Sequence, residues 1–100
     1  MNSILLVEDD SVIIKSLTEF LSDEGFSVSH ADGQSKAISM MNDLSFDILL
    51  VDISLKEGNG FAVCACAKEK GLPVIFLIRR HFFYPAVPDK VHSYLLYQCS

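Results

Sequence analysis

The chain has 100 residues, half of them apolar, and a formal net charge of −5, which suits one compact domain with a single core rather than two. The acidic balance argues against direct nucleic-acid binding, which needs clustered Lys and Arg, but leaves room for a bound cation. The early apolar run Ile4 to Val7 is too short for a signal-peptide core or a membrane span and three acids follow it, so a cytoplasmic chain off the membrane is expected.

That run, "ILLV", has the continuous apolar character of a parallel strand buried on both faces, and Glu8-Asp9-Asp10 ends it. From Ser11 the apolar residues Ile13, Ile14, Leu17, Phe20 and Leu21 recur at helical spacing. Asp10 and Ser11 suit the helix start, and Gly25 marks a stop after about Glu24. Phe26 to Ala31 reads as a second strand, with Asp32 as the cap of a helix whose inner face carries Ala37, Met40, Met41 and Leu44. Ile48 to Val51 is the third strand, and a loop from Ser54 to Gly60 leads into a helix over Phe61 to Lys70, closed by Gly71. Leu72 to Ile78 is the fourth strand. This alternation specifies an α/β fold, a parallel sheet with helices on both faces.

After Ile78 the chain changes character. Residues 1–78 hold 12 acids and 5 lysines, whereas residues 79–100 hold 3 basic residues and 1 acid. The sequence therefore divides into a βα core, 1–78, and an atypical tail, 79–100. In the tail, Arg79 to Lys90 has the length of a crossover, and a fifth strand is expected at 91–97. No residues remain for a fifth helix, so one sheet face beside the first helix is expected to need cover from a second chain, by homodimerisation or a segment swap. A reading-frame shift near Ile78 would explain the break; the rival is a tail whose Phe82, Phe83, Tyr84, Tyr94 and Tyr97 form a partner interface. Cys64, Cys66 and Cys99 form no CxxC pair and read as reduced, structural thiols.

The acids sit where chemistry is expected. In an open parallel sheet ligands bind outside the carboxyl ends of the strands, and Glu8, Asp9 and Asp52 lie at such ends. If the first and third strands are neighbours, three carboxylates converge, and a hard cation such as Mg²⁺ relieves their repulsion. An idle charge at Asp52, after a run of large apolar residues, would be expensive.

Through "ILLVEDD", "DILLVDISL" with "GNG" following, and "LPVIFL", residues 2–78 resemble the receiver domain of bacterial two-component response regulators. The resemblance implies a doubly wound, flavodoxin-like sheet, altered after the fourth strand, with strand order 2-1-3-4-5, for which a member of this family is a standard example. It implies Asp52 as phospho-acceptor from a sensor histidine kinase, Asp9 as direct Mg²⁺ ligand, Glu8 as its water-mediated partner and the Ser54 backbone carbonyl as a further ligand. Such a carboxylate attacks a phosphoryl group once the charge on the transferring oxygens is neutralised and the donor is held in line.

The chain departs from the family at two places. Ile78 stands where the family has a switch Thr or Ser, and it cannot donate a hydrogen bond. The family's Lys-Pro is missing: Lys90 comes too early and Val91 follows it. The alternative function is then a degenerate receiver serving as a non-phosphorylated protein-interaction module. An enzyme is not expected: an Asp-nucleophile phosphohydrolase usually has a DxD pattern, and here Ser54 stands at its second acid. A flavin module fails because the acids after the first strand would repel the flavin phosphate.

Overall fold

The computed structural model describes residues 2–53, 55–79 and 94–99, with residues 78, 79 and 94–99 described by their backbone. The elements run β1 (Ser3–Val7), α1 (Ser11–Asp23), β2 (Ser27–Ala31), α2 (Gln34–Asp43), β3 (Ile48–Asp52), α3 (Gly60–Glu69), β4 (Val74–Arg79) and β5 (Tyr94–Cys99). They form one sheet in the order β2-β1-β3-β4-β5. The first four strands pair in parallel, with Val7 beside both Ala31 and Val51, and Asp52 beside Leu77.

Alternation along the buried strands splits the core into two layers, because successive side chains point to opposite faces. Leu5, Val7, Leu49 and Val51 pack with Ala37 and Met41 of α2 and Val63 and Ala67 of α3. Ile4, Leu6, Leu50 and Leu77 pack with Leu17 of α1. The inner strands β1, β3 and β4 are thus apolar at almost every position, as a sheet covered on both faces requires, whereas the edge strand β2 is not.

Several sequence expectations change here. β5 runs antiparallel to β4, with Val74 opposite Cys99 and Arg79 opposite Tyr94; its residues 94–99 overlap the expected strand at 94–97. An antiparallel return needs no helical crossover, so the length argument for a parallel strand loses its force. Residues 80–90 of the expected crossover, and residues 91–93 of the expected strand, lie outside the described residues. The sheet face beside α1 is less bare than expected: Leu50 and Leu77 are buried, and Ile48 and Ile75 are half-buried. Leu44, assigned to an inner helix face, is 53 % exposed, and Phe20, one of the apolar residues at helical spacing in the first helix, is 47 % exposed. Phe20 lies in the last turn of α1, and Leu44 is the C-cap beyond α2, where the helical phase no longer dictates direction.

Asp32 does not cap α2; Gly33 holds that place, with no side-chain cap of its own. Cys66 is a free, half-buried thiol, whereas Cys64 is disulfide-bonded, which corrects the expectation of reduced cysteines throughout. Cysteine spacing carries no information on which Cβ atoms the fold brings together.

Candidate functional site

The carboxyl ends of β1 and β3 are neighbours, so the residues one step beyond the Val7–Val51 pair, Glu8 and Asp52, lie side by side. The Glu8 N–H still donates to the Ala31 carbonyl at 3.0 Å, which keeps Glu8 in line with the sheet and turns its side chain into the domain. Glu8 is 0 % exposed and Asp52 3 %. Asp9, next along the chain, is half-buried and turns to the same pocket.

The chain positions each acid through backbone donors. The Asp10 N–H donates to Glu8 Oε1 at 3.1 Å. The Asp10 carboxylate in turn accepts from the Val12 and Ile13 N–H groups at 2.9 and 3.3 Å, capping α1 as its residue type favours. The Lys56 N–H donates to Asp9 Oδ2 at 2.7 Å. His30, on β2, approaches the Glu8 carbonyl through Nε2 at 2.9 Å, which requires the proton to sit on that nitrogen. Gly60 opens α3 directly against β3: a Cβ there would stand 2.5 Å from the Asp52 carbonyl oxygen, so a larger residue would push the helix off the acid's own backbone.

One carboxylate oxygen from each of Glu8, Asp9 and Asp52 lies within 4.8 Å of the others. Opposite corners of a Mg²⁺ octahedron with ordinary bonds are about 4.2 Å apart, so slight contraction, or one water-bridged ligand, would seat the ion. The electrostatics ask for it. Burial above all, with the Asp52 and Asp9 carboxylates beside it and against the pull of the Asp10 N–H, pushes Glu8 up from 4.5 to about 7. Its Oε2 is buried and has no hydrogen-bond partner among the described residues. An orphaned carboxylate oxygen is costly in a protein and common where a cation belongs.

The structure therefore brings together three of the four expected site residues, Glu8, Asp9 and Asp52; Ser54, whose carbonyl was expected as a further ligand, lies outside the described residues. Lys56 is exposed, yet its backbone serves the site. Sequence reasoning missed that contact and the His30 contact, because both run between segments far apart in the chain. It also missed Asn59, whose side chain accepts from the Ala62 N–H at 2.7 Å and caps α3; an Asn just before a helical run was a usable signal.

The profile of the response regulator receiver domain matches residues 4–81. Among curated proteins, the chain is 40 % identical over 102 aligned residues to the alginate biosynthesis transcriptional regulatory protein AlgB of Pseudomonas syringae pv. tomato, covering 97 % of this chain and 23 % of that protein. It is 33 % identical over 75 residues to the DNA-binding response regulator MtrA of Mycolicibacterium smegmatis, covering 74 % of this chain and 33 % of that one. The chain thus spans a third or less of these two relatives. Among solved structures, the signal receiver domain of a modulated diguanylate cyclase from Desulfovibrio desulfuricans superposes with a TM-score of 0.77 at 30 % identity, over 82 % of this chain and 68 % of that one. The response regulator TrrA of Thermotoga maritima, solved in complex with Mg²⁺-BeF, superposes with a TM-score of 0.75 at 25 % identity, over 87 % of this chain and 77 % of that one.

Proposed function

The chain belongs to the response regulator receiver domains of two-component systems, and from that premise we propose that Asp52 accepts a phosphoryl group from a sensor histidine kinase, with Mg²⁺ held by Glu8, Asp9, Asp52 and the Ser54 carbonyl. The observation that carries this reading is the buried, unpartnered Oε2 of Glu8 beside two further carboxylates.

Ionised Asp52 supplies the nucleophile: a carboxylate oxygen forms the new O–P bond as the P–N bond to the donor imidazole breaks, and the electron pair leaves with that nitrogen. Bound Mg²⁺ would neutralise charge on the transferring oxygens and on the three carboxylates. Glu8 and Asp9 fix the place of that charge, the Lys56 N–H orients Asp9, and Gly60 lets α3 begin close against Asp52. We take the domain to be a phosphoryl acceptor rather than an enzyme acting on other substrates, supported by Ser54 at the position where a hydrolase would carry its acid. A cytoplasmic place follows from the proposed kinase, and among the described residues no helix is long and apolar enough to cross a membrane. We assign no DNA contact to this domain itself, on its charge of −5. Self-association remains part of the proposal: β5 ends the sheet, and an edge strand offers backbone groups to a second chain.

A second reading, a receiver fold kept as an interaction module without phosphorylation, is favoured by one feature. Ile78 follows Leu77, the register partner of Asp52, and brings no hydroxyl to the end of β4. Intact mass after incubation with Mg²⁺ and a small-molecule phosphodonor separates the two. One added phosphate on the parent, absent in Asp52→Asn, is expected; a folded parent that gains no mass supports the interaction module instead.

A further inference from the structure

The loop after β3 is fastened to the start of α2 by a set of contacts that the proposed phosphoryl chemistry does not itself require. Helix α2 begins at Gly33 without a side-chain cap, and the missing acceptor comes from another segment. The Glu57 carboxylate accepts from the Ser35 hydroxyl at 2.6 Å and from the Ser35 N–H at 3.2 Å. The Glu57 carbonyl accepts from the Gln34 N–H at 3.1 Å, and the Gln34 side-chain oxygen accepts from the Asn59 N–H at 3.1 Å. The joint is reciprocal, each segment supplying acceptors to the other's backbone.

Its tightness shows at both glycines. A Cβ on Gly33 would collide with the Glu57 side chain, and one on Gly58, whose φ is +77°, with the Gln34 side chain. The donors of Ser35 and Gln34 hold the Glu57 carboxyl below its ordinary value, as an acceptor stabilised in its charged form should be. Immediately before Glu57 stands Lys56, whose N–H binds Asp9 Oδ2. The clamp and the acid pocket are therefore one residue apart along the backbone.

We propose that Glu57 is a positioning residue: by clamping the loop to Ser35 and Gln34 of α2, it holds the Lys56 N–H against Asp9 and so fixes the Asp9 carboxylate for the cation. The inference rests on reading Glu8, Asp9 and Asp52 as a cation pocket. A carboxylate pinned through one oxygen leaves the other aimed at the ion, and a pre-ordered ligand loses less freedom on binding. With the clamp open, Asp9 must be ordered by the ion itself.

The test is a Mg²⁺ titration of the ¹H–¹⁵N spectrum without phosphodonor, on the parent, Ser35→Ala, Glu57→Ala and the double variant, with hydrogen exchange of the Lys56 amide read alongside. Ser35→Ala is the decisive variant, since it opens the clamp in part without changing charge. Losing such a hydrogen bond should weaken Mg²⁺ binding about 2- to 5-fold in Ser35→Ala and about 5- to 10-fold in Glu57→Ala. The double variant should be no weaker than Glu57→Ala, and Lys56 exchange should speed up in step. Unchanged Mg²⁺ affinity in Ser35→Ala, despite faster exchange at Lys56, overturns the clamp while leaving the pocket intact. A charge effect alone would weaken only the Glu57 variants, and that pattern also overturns it. A folded parent that shows no Mg²⁺-dependent shifts at Glu8, Asp9 and Asp52 removes the cation pocket itself and the inference with it.

Discussion

Glu8 carries the sharpest conflict in the molecule, a carboxylate with no exposure whose second oxygen has no partner. Its folded value of about 7 lies above its ordinary 4.5, so between those values the folded state binds more protons than the unfolded one. Stability without divalent metal should therefore fall as pH rises from about 4.5 to 7 and level off above, by on the order of 2 kcal/mol. Mg²⁺ should reverse the loss, because it binds the ionised pocket of the folded state only. Urea unfolding at pH 5 and pH 8, with EDTA and with Mg²⁺, measures both effects; Glu8→Gln should flatten the pH dependence and abolish most of the Mg²⁺ stabilisation. Equal stability of the parent at both pH values in EDTA would show that Glu8 is better solvated than the structure indicates. The residue's importance was legible in the sequence, since an acid at the end of "ILLV" demands a reason. Its unpartnered oxygen was not, because that depends on which strand lies next to β1.

Among the elements, local chemistry was readable where cap and helix are adjacent in the chain, and unreadable where they are not. Asp10 caps α1 as expected, from its own N–H neighbours. Asp32 has the right residue type for α2, but the helix begins two residues later and takes its acceptor from Glu57, 22 positions beyond Ser35. No pattern of helix signals looks that far. Asn59 is a local cap, so Asn59→Ala should destabilise by about 1 kcal/mol. Asp32→Ala, a change at an exposed residue that caps nothing, should stay within about 0.5 kcal/mol of the parent. Thermal or urea unfolding of the two variants side by side decides it, and a loss at Asp32 equal to that at Asn59 would mean that α2 starts earlier in solution. The direction of β5 was the other element beyond reach, because a connecting length suits an antiparallel return as readily as a crossover.

For the whole molecule the question is whether a phosphoryl group at Asp52 can move anything. A switch needs an element with two arrangements, and the ligand must contact one better than the other. Asp52 sits beside Leu77 in the β3–β4 ladder, and the following residue, Ile78, is held in β4 opposite Leu95 of β5. An isoleucine side chain offers a phosphoryl oxygen no donor, so β4 gains no side-chain contact by shifting toward it. The pocket, by contrast, is tied to the loop after β3 by the Lys56 N–H on Asp9, and that loop is tied to α2 by the Glu57–Ser35 clamp. Addition of Mg²⁺ and beryllofluoride to the intact chain should therefore perturb amide signals at Glu8 to Asp10, at Asp52 and Ile53, at 55–60 and at the start of α2. The amides of β4 and β5 should stay where they are. In a Glu57→Ala background the response should retreat further, to the acids alone, since the path into α2 is cut. Shifts spreading along β4 and β5 would instead show that the sheet itself relays the charge, and that a hydroxyl at the end of β4 is dispensable in this domain.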